Sequence, residues 1–391
     1  MDGVLRFEKG RLHYRGSTQV GRTRSQTELT GSLAGDRPDL QGKLRIPVLY
    51  LDDFGIDTGS GADAPAGDQN TSEPRDGKRR AHVFSREPFR LDALGLLDLD
   101  MNIRIDRIDS GGKSAARRAD GKVLLKDRVL HIAPMRLIAE GGPTDIDLKI
   151  DARDVPDMSL SISADDQALG PWLAQVQGKV PVEGYANYQY FLVGRGRSPH
   201  ELASSLNGKI SLALENAKIP MHYIEYLSAD ILGWTLGKLV AGEKYANLNC
   251  VLADFDIRNG VMSSTLLAAD GPRLAIEGDL AIDFRTETIK AVFLPKQKRK
   301  VFSSVSPVRL KGDMRDPDVR AIPAKEAAGQ IGALVLVPYV AIPVAIFGHI
   351  WSSVDDHDAY GGGCANLQRE KAGEAGRADA VKPPDYSWYE E

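Results

Sequence analysis

The sequence has few of the residues on which disulfide scaffolds, metal sites and nucleic-acid binders depend. Only two cysteines, Cys250 and Cys364, occur in 391 residues. Two are too few for a disulfide-rich scaffold or a cysteine zinc site. The 50 Lys and Arg residues nearly balance the 54 Asp and Glu residues, whereas a general nucleic-acid binder normally carries a basic field. We therefore expect no nucleic acid among its partners.

Motifs that carry catalytic chemistry are also missing. The chain has no Gly-rich phosphate loop, nucleophile elbow or metal-binding helix motif. The run DDHD at 355–358 has ligand-type residues, but its place in a polar tail favours solvated acids. Asp98, Asp100 and Asp106 alternate with apolar residues and are interpreted as a solvated outer face. We predict that the protein is not an enzyme and uses no metal or cofactor.

Short runs in which apolar and polar residues alternate dominate the chain. In residues 98–108, DLDMNIRIDRI, every second residue from Leu99 to Ile105 is apolar. The same alternation returns in DIDLKID (145–151), MSLSISA (158–164), KISLALE (209–215), LAIEGDLAIDF (274–284) and VRLKG (308–312). A period of two is typical of strands with one buried and one solvated face. We predict a mainly β, antiparallel chain.

Turn-type residues separate these runs. Asn259-Gly260, Asp120-Gly121 and the Gly-Gly-Pro run at 141–143 stand where hairpin turns are expected. Helical signals are few. In residues 198–208, SPHELASSLNG, Ser198 is predicted to cap a short helix that begins at Pro199.

Two apolar segments stand apart from the strands. Residues 221–241 are apolar over most of a helix circumference, which predicts a helix covered by the fold or by lipid. Residues 327–354 contain no charged side chain, and their core, 331–351, is long enough to cross a bilayer of about 30 Å. Pro338 and Pro343 would interrupt such a helix, which favours a docked or interfacial segment over a membrane-spanning one. The residues predicted to contact the membrane are Leu334, Leu336, Val340, Ile342, Ile346, Phe347 and Trp351.

Composition predicts five segments along the chain. They are an N-terminal β segment (1–57), a disordered polar insert (58–80), a main β region (81–326), an apolar helical segment (327–354) and a mobile charged tail (355–391).

The region from 178 to 320 carries a recognisable order of motifs. Residues 178–219 place a strand pair before the pattern G-x-G-x-S-x-x-x-L-x-x-S-L-x-G, formed here by Gly194, Gly196, Ser198, Leu202, Ser205, Leu206 and Gly208. The order continues through LNCVLADFDIRNGVMSS (248–264), the strands of 274–296, PVRLKGDMRDPDV (307–319) and GGGCANL around Cys364. This arrangement resembles the AsmA-like family of bacterial envelope proteins. Members of that family begin with a membrane anchor, which is not recognisable here, so we expect a gene fragment or a misassigned start.

The resemblance implies an elongated, curled antiparallel sheet, a β-groove or trough, with a few helices and a C-terminal apolar helix. It implies a periplasmic protein associated with the inner membrane that shields or conducts lipids and supports outer-membrane assembly and lipid homeostasis. Its expected partners are phospholipids or other acyl lipids, the membrane surface and envelope assembly proteins. The alternative is an envelope scaffold with a solid β core and no lipid passage.

The apolar face of the alternating strands is the predicted lipid-binding surface. Its residues are Leu99, Met101, Ile103, Ile105, Ile146, Leu148, Ile150, Leu160, Ile162, Ile210, Leu212, Leu214, Leu274, Ile276, Leu280, Ile282 and Phe284. In an oxidising periplasm, Cys250 and Cys364 are candidates for a disulfide that ties the C-terminal segment to the sheet. The alternative is two unpaired buried thiols.

Overall fold

The computed structural model describes residues 2–8, 10–33, 37–54, 82–110, 113–171, 182–220, 245–272, 274–297, 307–321 and 364. The predicted helices at 221–241 and 327–354, the insert at 58–80 and, apart from Cys364, the tail at 355–391 lie outside these residues.

The described chain is mainly β, as the alternation predicted. The strands are β1 (Asp2–Glu8), β2 (Arg11–Val20), β3 (Thr23–Ser32), β4 (Asp39–Ile46), β5 (Leu49–Tyr50), β6 (Asp98–Ile105), β7 (Ile108–Ser110), β8 (Lys113–Ala116), β9 (Arg118–Lys126), β10 (Val129–Ile138), β11 (Pro143–Asp151), β12 (Asp157–Ala168), β13 (Glu183–Arg195), β14 (Asn207–Pro220), β15 (Tyr245–Arg258), β16 (Val261–Asp270), β17 (Leu274–Asp283), β18 (Thr288–Gln297), β19 (Val308–Asp313) and β20 (Asp316–Ala321).

Seventeen of these strands belong to one large sheet, and the short β5, β7 and β8 form a second. Among β1 to β4, β6, β9 to β12 and β16 to β20, the paired strands of the large sheet run antiparallel, except that β4 and β6 pair in parallel. The prediction of a large antiparallel sheet with few helices is thus confirmed. The curled, elongated trough stays a prediction, as do the five segment boundaries.

The chain divides into two compact units. Unit 1 contains residues 1–181, 189–208 and 258–260, and unit 2 contains residues 182–188, 209–257 and 261–391. In unit 1 the strands follow the spatial order β1, β2, β3, β4, β6, β9, β10, β11, β12. In unit 2, β16 to β20 form a meander in chain order.

One end of the unit 1 sheet carries a small core. Ile46, Ile105 and Ala119 are buried there, and Leu49 and Ile108 pack against them. Leu49 lies in β5 and Ile108 in β7, so the three-stranded sheet covers the large sheet at this end.

The predicted turns are correct at two positions and wrong at one. Asn259 and Gly260 have φ angles of 48° and 74° between β15 and β16, as a tight hairpin requires. The glycines at 141 and 142 likewise connect β10 to β11. Asp120-Gly121, however, lies inside β9. The turn that follows β9 is made by Asp127 and Arg128, with φ angles of 48° and 66° and no glycine.

The short predicted helix is confirmed as α1 (Pro199–Ser204). The Ser198 hydroxyl accepts a hydrogen bond from the Glu201 backbone N–H at 3.2 Å. The Glu201 carboxylate accepts one from the Arg197 backbone N–H at 2.8 Å. In the usual capping box the Glu201 carboxylate would accept a hydrogen bond from the N–H of the cap, Ser198. Here it accepts from the N–H of Arg197, the residue before the cap.

Candidate functional site

The cross-strand register of unit 1 places apolar residues from five consecutive strands on one face. Three ladders cross β6, β9, β10, β11 and β12: Leu99–Leu125–Leu130–Ile150–Met158, Met101–Val123–Ile132–Leu148–Leu160 and Ile103–Gly121–Met135–Ile146–Ile162. Directly opposed residues of a sheet share a face. We call this surface the apolar face. All nine unit 1 residues that the sequence predicts to face lipid lie on this apolar face, including Ile105 at the end of β6.

The apolar face is partly open. Met101 and Ile105, near the small core, are only 8% and 9% exposed. The other seven predicted residues of this face are half-buried. A solid core excludes water from its side chains, because protein interiors are close-packed. This apolar face therefore keeps surface that a ligand can cover.

The opposite face of the unit 1 sheet is charged. The Lys122 ammonium lies 3.0 Å from the Asp100 carboxylate, and the His131 imidazole lies 3.0 Å from the Asp147 carboxylate. A hydrogen bond from Arg45 lowers the pKa of Asp106 below its usual value. These polar contacts agree with the interpretation of the alternating acids as an outer face.

An open cavity of about 520 Å³ lies over β1, β2 and β3. Arg6, His13 and Arg15 line it together with Glu8 and Glu28. Val4, Tyr14, Leu29 and Thr30 complete the lining, so polar and apolar side chains are mixed there. The cavity is therefore not the purely aliphatic surface that the sequence predicts.

Unit 2 repeats the one-sided pattern in β17. Ile276, Leu280 and Ile282 alternate along the strand and share one face, and Leu274 is the first residue of the strand. A Cβ atom on Gly278 would lie 2.8 Å from the Phe293 ring, so the ring of Phe293 covers Gly278 on that face. β17 ends at Asp283, and Phe284, the next residue, is half-buried.

The cysteines meet in unit 2. Cys250 and Cys364 form a disulfide, with their Cα atoms 4.9 Å apart, and are 0% and 1% exposed. Ala213, Leu252 and Ala268 pack around the bond. In β14, Ile210, Leu212 and Leu214 alternate with Ala213, so their side chains point to the other face and are half-buried.

Asp254 is a feature that the sequence analysis missed. Burial raises its pKa to about 6, against the opposing effect of a hydrogen bond from Ser211. The nearby charge of Asp256 adds to the rise. The alternation gave no signal for it, because β15 is buried at Cys250 and Leu252 but also at Ala253 and Ile257, so the strand keeps no single buried side.

The residues of the glycine and serine motif at 194–208 have structural roles. The Ser205 hydroxyl accepts a hydrogen bond from the Arg195 backbone N–H at 2.7 Å. A side chain on Gly196 would lie 2.4 Å from the Leu202 backbone nitrogen, and one on Gly208 would collide with the Phe191 carbonyl. The motif therefore joins α1 closely to β13 and β14.

Neither a metal-binding cluster nor a membrane-spanning helix is present in the described part of the chain. There, no group of three or more His, Cys, Asp or Glu side chains is placed to hold a metal ion. No helix among those residues has the length and apolar character to cross a membrane. The predicted membrane contacts from Leu334 to Trp351 lie outside the described residues.

The model of the AsmA family matches residues 14–267. The chain belongs to the AsmA family. The match includes the N-terminal strands from within β2 onward and ends before β17, whereas the sequence resemblance rested mainly on 178–320. The chain is also 22% identical over 343 residues to the AsmA family protein YhjG of Escherichia coli (strain K12). That alignment covers 84% of this chain and 49% of the relative, so the chain spans about half the length of this AsmA protein. No solved structure matches the chain.

Proposed function

We propose that this AsmA-family chain is a non-catalytic envelope protein whose apolar face shields the acyl chains of phospholipids or related lipids. The observation that carries the proposal is the asymmetry of unit 1. One face presents aliphatic ladders that are mostly half-buried, and the other presents paired charged and polar side chains. Such a surface suits a ligand that is apolar along its length.

The energy of shielding supports this assignment. Removing one methylene from water is worth about 0.8 kcal/mol, so a lipid with two long acyl chains needs an extended apolar surface to leave a membrane. The ladders supply Leu, Ile, Val and Met side chains over five strands. Aliphatic side chains offer no hydrogen bonds with which to select a headgroup, so we expect several lipid classes to bind.

The disulfide supports the proposed compartment. Disulfides persist in oxidising compartments such as the bacterial periplasm and are rare in the cytosol. The buried Cys250–Cys364 bond therefore favours the periplasm. Association with the inner membrane, cooperation with envelope assembly proteins and a role in outer-membrane assembly and lipid homeostasis belong to the same proposal.

Site-specific photo-crosslinking tests the proposal. A benzophenone amino acid is placed at Leu148, on the apolar face, or at Lys149, the next residue on the charged face. The full chain is isolated gently from cells after irradiation and analysed by mass spectrometry. We expect lipid adducts at position 148 and none at position 149.

A substitution provides the second arm. Leu148→Glu places a charge in the middle ladder, and Lys149→Glu introduces the same residue on the exposed face. We expect the first variant to lose copurifying lipid and the second to retain it. If the unaltered protein carries no lipid and position 148 gives no adduct, the shielding role is wrong and a scaffold with a solid core is the better account.

A further inference from the structure

One end of the apolar face of unit 1 carries a half-buried arginine, Arg128, in the turn between β9 and β10. Its Nε donates a hydrogen bond of 2.8 Å to the Ala152 carbonyl. Among the residues that the structure describes, no carboxylate lies within ion-pair distance of the Arg128 guanidinium. Charged groups are seldom withdrawn from water unless they are paired, so Arg128 retains terminal N–H donors for an anion.

The acids beside Arg128 in the turns are already paired with other arginines. Asp127, the preceding residue, pairs with Arg37. Asp151, which precedes the carbonyl that Arg128 binds, pairs with Arg153. The positive charge of Arg128 is therefore the one at this end that the described side chains leave uncompensated.

Arg128 lies where the ladders of the apolar face end. It stands two residues before Leu130, and Ala152 stands two residues after Ile150, which is the partner of Leu130 in the ladder. The Ala152 N–H donates to the Arg128 carbonyl at 3.0 Å. This pair therefore continues the cross-strand register one step beyond the last apolar pair. A cation thus follows aliphatic side chains, in the order of head and tail in a phospholipid.

The apolar face is about as long as one lipid tail. From Leu99 to Ile105, β6 spans roughly 20 Å. A tail in a bilayer occupies half of a hydrocarbon core of about 30 Å. At the far end, Ile46 and Ile105 are buried where the three-stranded sheet covers the large one. A tail that starts at Arg128 therefore fits along the strands up to that cover.

The segment before β6 adds an exposed apolar side chain beside Arg128. The Arg128 side chain passes over Gly95, because a Cβ atom there would lie 3.3 Å from its Nη1. Leu96, the next residue, is 69% exposed. An exposed leucine next to a cation suits the boundary between the tails of a lipid and its polar head.

We propose that Arg128 binds the phosphate group of a phospholipid whose acyl chains lie on the apolar face. This role rests on the proposed shielding of acyl chains and adds the polar part of the site. A guanidinium recognises phosphate through paired N–H donors, and the Nε contact with Ala152 leaves Nη1 and Nη2 for it. Because all phospholipids carry a phosphate, Arg128 separates them from neutral lipids with the same tails and does not choose among their headgroups.

Two lipids with identical acyl chains test this role. Dioleoylphosphatidylglycerol carries the phosphate, and dioleoylglycerol does not. The full chain, freed of copurifying lipid in detergent micelles, is mixed with each lipid, and native mass spectrometry measures the bound fraction. We expect the unaltered chain to bind the phosphate-bearing lipid at least about tenfold more tightly. Inorganic phosphate, the third probe, should not displace this lipid, because it has no tails to bind the apolar face.

Two substitutions separate the Arg128 contact from net charge. Arg128→Gln removes the charge at the end of the face, and Arg136→Gln removes the same charge from the exposed side of β10. We expect Arg128→Gln to bind the two lipids about equally and Arg136→Gln to keep the preference. Arg128→Lys keeps the charge without the paired donors, so it should show a smaller loss. Circular dichroism checks folding, and the lysine variant carries the comparison if the glutamine variant does not fold.

The outcomes distinguish phosphate binding from lipid shielding. If the unaltered chain and Arg128→Gln bind both lipids alike while benzophenone at position 148 still gives lipid adducts, phosphate binding at Arg128 is wrong and shielding stands. Equal losses in Arg128→Gln and Arg136→Gln would also overturn it, because they indicate a general effect of charge. If neither lipid binds the unaltered chain and position 148 gives no adduct, both roles are wrong.

Discussion

Gly121 lies directly opposite Met135, and a Cβ atom on Gly121 would stand 2.8 Å from the Met135 sulfur. The pair marks the point where the register of β10 shifts between Ile132 and Met135 against both neighbouring strands. Glycine is required there for close approach and not for a turn. The same residue therefore explains why the Asp120-Gly121 pair misled the sequence analysis.

Gly121→Ala should lower the free energy of unfolding by about 1–3 kcal/mol, a typical effect of overpacking. The added methyl group meets the end of Met135 and also the Pro134 carbonyl at 2.9 Å, and the backbone oxygen cannot rotate away. Gly95→Ala is the control, because its neighbours are atoms of the flexible Arg128 side chain at 3.3 Å and beyond. Denaturant unfolding of both variants measures the difference, and equal stability of the two would contradict the explanation.

Asp254→Asn should change how stability depends on pH. The folded state raises the pKa of Asp254 from 3.8 to about 6, so the folded protein holds this proton more tightly than the unfolded chain. The stability that the protonated Asp254 carboxyl contributes is fully present below pH 4 and is lost as pH rises through about 6. At pH 7 this loss amounts to about 3 kcal/mol. The variant lacks this loss, so its stability relative to the unaltered chain should rise between pH 4 and pH 7.

Asp151→Asn is the control for that pH series. A hydrogen bond from Arg153 lowers the pKa of Asp151 from 3.8 to about 2. The stability that the ionised Asp151 contributes is therefore present above pH 4 and is lost as pH falls toward 2. The pair is exposed, and removing it should cost under about 1 kcal/mol, nearly constant from pH 4 to pH 7. Parallel pH profiles for the two variants would show that burial of Asp254 has no energetic effect.

Cys364→Ala should destabilise the chain through the loss of the disulfide. The two cysteines are 114 residues apart. Opening a loop of that size removes about 4–5 kcal/mol in the chain-entropy model. The double variant Cys250→Ala/Cys364→Ala should be only slightly less stable than Cys364→Ala, because the disulfide is already absent from the single variant and only the packing of the Cys250 side chain is lost in addition. Denaturant unfolding of the single and double variants tests this, and an unchanged midpoint in the single variant would refute it.

Ser198→Ala should cost about 1 kcal/mol by removing the N-cap of α1. The Ser198 hydroxyl accepts from the Glu201 N–H and is buried, so water does not replace it readily. Ser198→Thr keeps the oxygen and should restore most of the loss. If alanine and threonine have the same effect, steric change and not capping controls this position.

The sequence predicted those parts of the fold that depend on side-chain alternation. The runs at 98–105, 145–151 and 158–164 became β6, β11 and β12, and their register placed the predicted residues on one face. The alternation does not predict whether neighbouring strands run parallel or antiparallel, because the period of two is the same in both. The parallel pairing of β4 with β6 was therefore not foreseen.

Turn residues and buried charges marked the limit of prediction from sequence. The hairpin turn at Asp127 and Arg128 uses positive φ angles without glycine or asparagine, so composition gave no signal. Asp254 is half-buried in β15, where the buried positions do not alternate strictly, so the pattern did not mark it. What decides its pKa is burial against neighbouring strands, which a single sequence does not display.

The parallel pairing of β4 and β6 also bears on the polar insert at 58–80. Antiparallel neighbours join through turns of as few as two residues, whereas a parallel pair forces the chain to return along the sheet. The connection from residue 47 to residue 97 is 51 residues long and contains the whole 23-residue insert. Residues 49–54 and 82–97 of this connection are held by the rest of the chain, which leaves 27 residues between them. Because loop-closure entropy grows only with the logarithm of length, removing the 23-residue insert should change the free energy of unfolding by only about 2 kcal/mol. The length of the insert is therefore a weak determinant of stability.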